Sequence, residues 1–130
     1  MSFAPMARVK FPSEGDPEVM GIAIFSRLPI EARSATYYIG DSKNLPYMDK
    51  ISTSAHLENY NRAVLWCDLQ KAGEVFRIGT THFVWTPDGN ADDRQRVALH
   101  TLLQILGSAV AERYKDNVPG KYTTSIDGDL

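Results

Sequence analysis

Arg62-Ala63-Val64-Leu65-Trp66-Cys67-Asp68-Leu69-Gln70-Lys71-Ala72-Gly73-Glu74-Val75-Phe76-Arg77-Ile78-Gly79-Thr80-Thr81-His82-Phe83-Val84 is the stretch that decides the fold class. Residues 62–69 and 74–84 are rich in β-branched and aromatic side chains, which suit a pleated, half-buried surface. Residues 70–73 between them have the length and the glycine of a hairpin connection. Successive strand side chains point to opposite faces. Val64, Trp66 and Asp68 therefore share one face, and Ala63, Leu65, Cys67 and Leu69 share the other. The pattern predicts two adjacent antiparallel strands.

Upstream, Val19, Met20, Ile22, Ala23, Ile24 and Phe25 form an almost unbroken apolar run around Gly21. A short run of this kind, bounded by turn residues, predicts a strand covered on both faces. Residues 12–17 read as a turn before it, and Pro29 ends it. Residues 35–39 are strand formers closed by Gly40 and Asp41, and residues 41–60 read as a long polar loop. Downstream, Asn90 or Asp88 is placed to cap a helix with Asp92 and Asp93 in its first turn, where the dipole favours negative charge. Val97, Leu99, Leu102, Leu103, Leu106 and Val110 recur at three- and four-residue steps, an amphipathic helix interrupted by Gly107. Residues 116–120 break it, and residues 122–126 are again strand-prone. Strands followed by one long helix predict an α/β or α+β domain, the helix covering one sheet face.

The 130 residues fit a single domain, 1–130, with 43% hydrophobic and 23% charged residues. The formal net charge of -2 argues against a broad basic surface for nucleic acid, though a local phosphate site needs only a few cations. Cys67 is the only cysteine, so no internal disulfide forms. No membrane-length apolar segment and no signal peptide is seen, and a cytoplasmic protein is the expectation.

Two segments carry a resemblance. Gly21-Ile22-Ala23-Ile24-Phe25-Ser26-Arg27-Leu28-Pro29-Ile30 resembles the strand that ends in a Ser-Arg-x-Pro turn in the endonuclease/exonuclease/phosphatase family. Gly79-Thr80-Thr81-His82-Phe83-Val84-Trp85, followed by Asp93-Arg94-Gln95-Arg96, is similar to that family's Thr-His-Leu strand end, loop and Arg/Gln-bearing helix. Arg62 matches a strand-opening Gly-Arg or Asn-Arg. The matches lie in order within residues 19–106. They imply a two-layer β-sandwich with a flanking helix and a divalent metal, usually magnesium, at one end of the sheets. The family draws its metal and catalytic groups from an early Asn and Glu, a Gly-Asp-x-Asn motif after the helix, and a final Asp and Ser-Asp-His. None of these motifs occurs here. The resemblance thus predicts a partial domain, cut at both ends and lacking a catalytic stretch between about Leu106 and Ala109. Such a sandwich exposes strand edges and invites self-association.

The resemblance implies phosphoester hydrolysis, with a phosphoester substrate drawn from nucleic acids, nucleotides or other phosphoesters. His82, beside a Thr pair at a strand end, is the catalytic candidate, because an imidazole donor stabilises charge developing on a phosphoryl oxygen. The bland role for it is a half-buried His bonded to a backbone carbonyl. Arg62, Trp85 and Arg94 are the substrate-binding candidates. A guanidinium grips phosphate bidentately, and an indole stacks on a base or sugar. Their bland counterparts are a surface salt bridge, loop packing and a solvated helix face. Arg96 shares that helix start, and Arg27 braces its turn. His56 and His100 have no ligand partners at metal spacing, and no residue is assigned to a metal. The competing function is a non-catalytic α/β binding or interaction domain.

Overall fold

The structure, a computed structural model, describes residues 1–10, 15–48, 60–86 and 88–114, with side chains through residue 109. The hairpin is its centre. Strand β5 (Arg62–Lys71) and strand β6 (Glu74–Thr81) pair antiparallel, with Val64 opposite Thr81, Trp66 opposite Gly79 and Asp68 opposite Arg77. The connection is the two-residue turn Ala72-Gly73, with φ of 52° and 79°. Two positive φ values in sequence match the twist of the flanking strands, the geometry of a type I′ turn. The sequence pattern had allowed four turn residues, but Gln70 and Lys71 continue the ladder. Strand β6 ends at Thr81 rather than near Val84.

Strand β3 (Ile30–Ile39) lies on the other side of β5, also antiparallel, so the sheet order is β3-β5-β6. It begins five residues before the predicted stretch. Gln70 N donates to Pro29 O (3.2 Å), which carries the pairing back to the proline. Strand β5 is the middle strand and is buried on both faces: Ala63, Val64, Leu65, Cys67 and Leu69 are all at most 5% exposed. Burying one Val or Leu side chain is worth about 1.5–3 kcal/mol.

The second sheet has the order β2-β1-β4. Its central strand β1 (Ser2–Val9) falls in a stretch to which the sequence assigned no element. Strand β2 (Glu18–Ile24) pairs with it antiparallel, and the two-residue β4 (Tyr47–Met48) pairs parallel, inside the predicted loop. The sheets meet through Ala4, Ala63 and Leu65, with Ile22, Ile24 and Tyr37 packed around them, and Tyr37 Oη donates to Pro5 O (2.7 Å). Met6, Ala7, Val9, Met48 and Tyr60 form a neighbouring cluster. The apolar run at 19–25 is an edge strand rather than one covered on both faces, and Val19 and Phe25 stand exposed. Gly21 is required because an added Cβ would strike the Ala4 carbonyl.

Helix α1 (Asp93–Tyr114) runs without a break through Gly107. Asp92 is its cap: Oδ1 accepts from Gln95 N at 2.7 Å, and the Asp92 carbonyl takes the first helical bond, from Arg96 N. Asp88 instead closes the preceding turn on Asn90. The buried stripe keeps Leu102 of the expected one but not its neighbours. Ala98 and Leu102 are buried, while Val97, Leu99 and Leu103 face outward. Among the described residues, the fold is thus a mixed α+β arrangement of two three-stranded sheets and one helix. Among the described residues, no helix is long and apolar enough to cross a membrane. His56 and residues 116–126 lie outside the described residues, and His100 is exposed.

Candidate functional site

The open end of the hairpin gathers the residues that matter. Arg62 opens β5 and His82 follows β6, so the antiparallel register returns them to the same end of the sheet. Arg62 Nη1 lies 2.9 Å from His82 Nδ1 and 3.1 Å from the His82 carbonyl. A guanidinium only donates. Nδ1 must therefore be the unprotonated nitrogen, and the imidazole carries its proton on Nε2. Burial lowers the His82 pKa below its ordinary 6.5, and the Arg62 charge lowers it further. The ring is held neutral at physiological pH, with its single N–H on the nitrogen away from Arg62. Protonating Nδ1 would turn an acceptor into a donor facing a guanidinium. His82 is thus fixed as a hydrogen-bond donor rather than an imidazolium.

Arg62 itself is 1% exposed. Its guanidinium sits over the Tyr60 ring, 5.3 Å from the centroid, a cation–π contact that replaces part of its hydration. Burial lowers the Arg62 pKa and the charge of Arg94 acts in the same direction, while Tyr38 and Tyr60 oppose both. Arg62 is therefore buried, neither at the surface as the bland expectation had it nor open to a substrate. The exposed residue of the pair is His82.

A second set of bonds explains why β6 stops at Thr81. Thr81 Oγ1 donates to the Ala63 carbonyl (2.8 Å), so it must accept from Tyr38 Oη, 3.0 Å away. Tyr38 Oη also lies 3.5 Å from the His82 carbonyl. Side chains from β3, β5 and β6 thus take over from the backbone ladder at this end. Burial raises the Tyr38 pKa, against the Thr81 bond and the Arg62 charge, so the phenol keeps its proton.

The segment that follows is tied to the helix by Gln95 Nε2, which donates to the Val84 carbonyl (2.9 Å). Arg94, one residue earlier, lines a cavity with Tyr38, Ile39, Val97 and Ala98, and its Nη2 is 3.8 Å from Asp92 Oδ2. The structure therefore brings Arg62, His82 and Arg94 into one neighbourhood. Trp85 is 46% exposed on the strap between His82 and the helix. Arg96 points away, bonded to Asp93. Tyr38 and Tyr60 are the participants that the sequence reading missed. The Thr pair beside His82 was in view, whereas the two tyrosines looked like ordinary strand and loop residues.

Magnesium, implied by the resemblance, needs several oxygen ligands, mostly carboxylates. Among the described residues, no group of three or more His, Cys, Asp or Glu side chains converges, and the neighbourhood of His82 is cationic. These residues do not fit a resident divalent metal. What they can do is present one neutral N–H donor, set in place by a buried guanidinium, to a group that accepts a hydrogen bond. Compared with protein-family models, with curated proteins and with solved structures, the chain matches none.

Proposed function

We propose that the chain is a member of the endonuclease/exonuclease/phosphatase family of metal-dependent phosphoester hydrolases, with His82 as the group that contacts the phosphoryl oxygen. One observation supports the reading most. Arg62 and His82, matched to the family through separate strands, meet at 2.9 Å in the tautomer that leaves Nε2–H as a donor. In this reading Arg62 is a positioning residue that sets the tautomer and ring orientation of His82. Arg94 supplies positive charge at the helix start, and Trp85 stacks on a base or sugar of a nucleotide or nucleic-acid substrate. Magnesium belongs to the reading through the family alone.

Turnover is not expected of this chain, because the described residues hold no carboxylate set for the metal. A chromogenic phosphodiester with magnesium or manganese should be hydrolysed no faster by the purified chain than by buffer. Turnover that vanished in His82→Ala would show that the site is complete after all. The binding half of the reading is tested by titrating dimethyl phosphate while following the His82 ring by NMR. The expected result is a saturable shift of the Nε2 resonance, weakened in Arg94→Ala. An unmoved ring would leave His82 a structural residue. The burial of Arg62 favours a second reading, a non-catalytic α/β binding domain whose Arg62–His82 pair only closes the hairpin.

A further inference from the structure

The helix does not seal the sheet beneath it. A cavity of about 420 Å³ lies between them, bordered by Ser34, Thr36, Trp66, Arg77, Thr101 and Gln104, with Ile105, Ser108 and Ala109 along the helix. Its size falls within the range of small-molecule sites, roughly 300–1,000 Å³. Its lining is unusual for a helix–sheet interface. On β3, where a covering helix would ordinarily meet large aliphatic residues, Ser34 and Thr36 present hydroxyls and remain exposed.

The floor is an indole laid flat. Trp66 sits opposite Gly79 on the helix-side face, and a Cβ at Gly79 would come within 2.6 Å of the Trp66 ring. The glycine makes room for the indole on this side of the sheet, and Trp66 borders the cavity. Arg77 brings a charge to the wall, but Asp68 holds it in a two-pronged pair, Nε to Oδ1 at 2.8 Å and Nη2 to Oδ2 at 2.9 Å. The two charges cancel. Among the described lining, what is left is the Trp66 ring, the hydroxyls of Ser34, Thr36, Ser108 and Thr101, the last already donating to the Val97 carbonyl and so only accepting, and the Gln104 amide, able to donate and to accept.

We propose that this cavity binds an uncharged, planar heteroaromatic ring of nucleobase size, stacked on Trp66 and hydrogen-bonded by Ser34, Thr36, Thr101 and Gln104. Among the described wall residues the one positive charge, Arg77, is taken up by Asp68, which selects against a phosphate or carboxylate group in the same space. The flat indole favours a ring over an aliphatic chain, and mixed donors and acceptors suit a ring that carries both. The site lies on the helix-side face of the sheet and does not rest on the reading given to His82.

Calorimetric titration of the intact chain with adenosine, with cytidine and with glucose tests the assignment. At least one nucleoside should bind saturably below about 1 mM, a free energy of about -4.1 kcal/mol or stronger, and glucose should not. Ser108→Phe places a ring into the cavity from the helix, and Gln104→Leu removes the amide without changing its length much. Each should weaken nucleoside binding at least tenfold while leaving the melting temperature within a few degrees. Absence of saturable binding by either nucleoside up to 10-fold above that concentration overturns the proposal. So does binding indifferent to both substitutions, which would lie elsewhere, or binding of glucose alone, which would make the site a polyol site.

Discussion

The two ends of the β5–β6 hairpin solve the same problem differently. At the closed end, backbone conformation does the work: Ala72 and Gly73 take positive φ values, and Val75 and Phe76 beside them stand half exposed. At the open end, side chains do it. A buried guanidinium and two hydroxyls hold the last strand residues where the ladder stops. Register at one end is a matter of local torsion, and at the other of groups that must be satisfied out of water. A change at the turn should therefore be cheap and local, and a change at Arg62 expensive and felt across the site.

Arg62→Met breaks the open end most directly. The His82 carbonyl and Nδ1 both lose their donor and the Tyr60 ring loses the guanidinium over it, and a hydrogen bond to a charged group is worth about 1.5–3 kcal/mol. A loss of about 2–4 kcal/mol is expected in denaturant unfolding, together with release of the His82 tautomer, visible in the ring nitrogen shifts. An effect below about 1 kcal/mol would show that the open end is no more demanding than the turn.

A smaller effect comes from pH. The folded His82 pKa lies below its ordinary 6.5, so between those two values the unfolded chain binds more protons than the folded one. This contribution to stability is fully present above 6.5 and is lost as the pH falls from there towards the depressed folded value. Melting temperature should decline from pH 7 to pH 5, and His82→Gln should flatten that decline. An unchanged slope in the variant would assign the pH dependence to other groups.

The smallest effect belongs to the closed end. Ala72 occupies the left-handed region at φ 52°, which Asn tolerates better. Ala72→Asn should stabilise the chain by about 0.5 kcal/mol, a fraction of the roughly 1 kcal/mol that an L-residue loses there. His82 should not sense the change. A shift of the His82 resonances in this variant would mean that the two ends are coupled through the ladder.

The hairpin and helix α1 were legible because each has a run long enough to show its period. Strand β1 was not. Its buried residues are Ser2, Ala4 and Met6, then Ala7 and Val9, so the alternation slips by one where the register shifts between Pro5 and Ala7. A proline and small side chains hide what remains of the pattern. The helix face was misjudged for a related reason. Val97, Leu99 and Leu103 supplied hydrophobicity, but the face turned to the sheet is the one through Ala98 and Leu102. At the site, His82 and Arg62 could be named from local motifs. That they touch follows only from strand pairing, which brings residues 20 apart in sequence to one end, and Tyr38 enters from a third strand with no local sign of its purpose.

Cys67, the sole thiol of the chain, lies at the middle of β5 with 1% of its surface exposed. A thiol reagent reaches it only when the layers that cover β5 part, so its labelling rate in native buffer counts openings of the core. Compared with labelling of the unfolded chain, that rate turns a sealed sulfur into a clock for the core's breathing, read from one atom without any added probe.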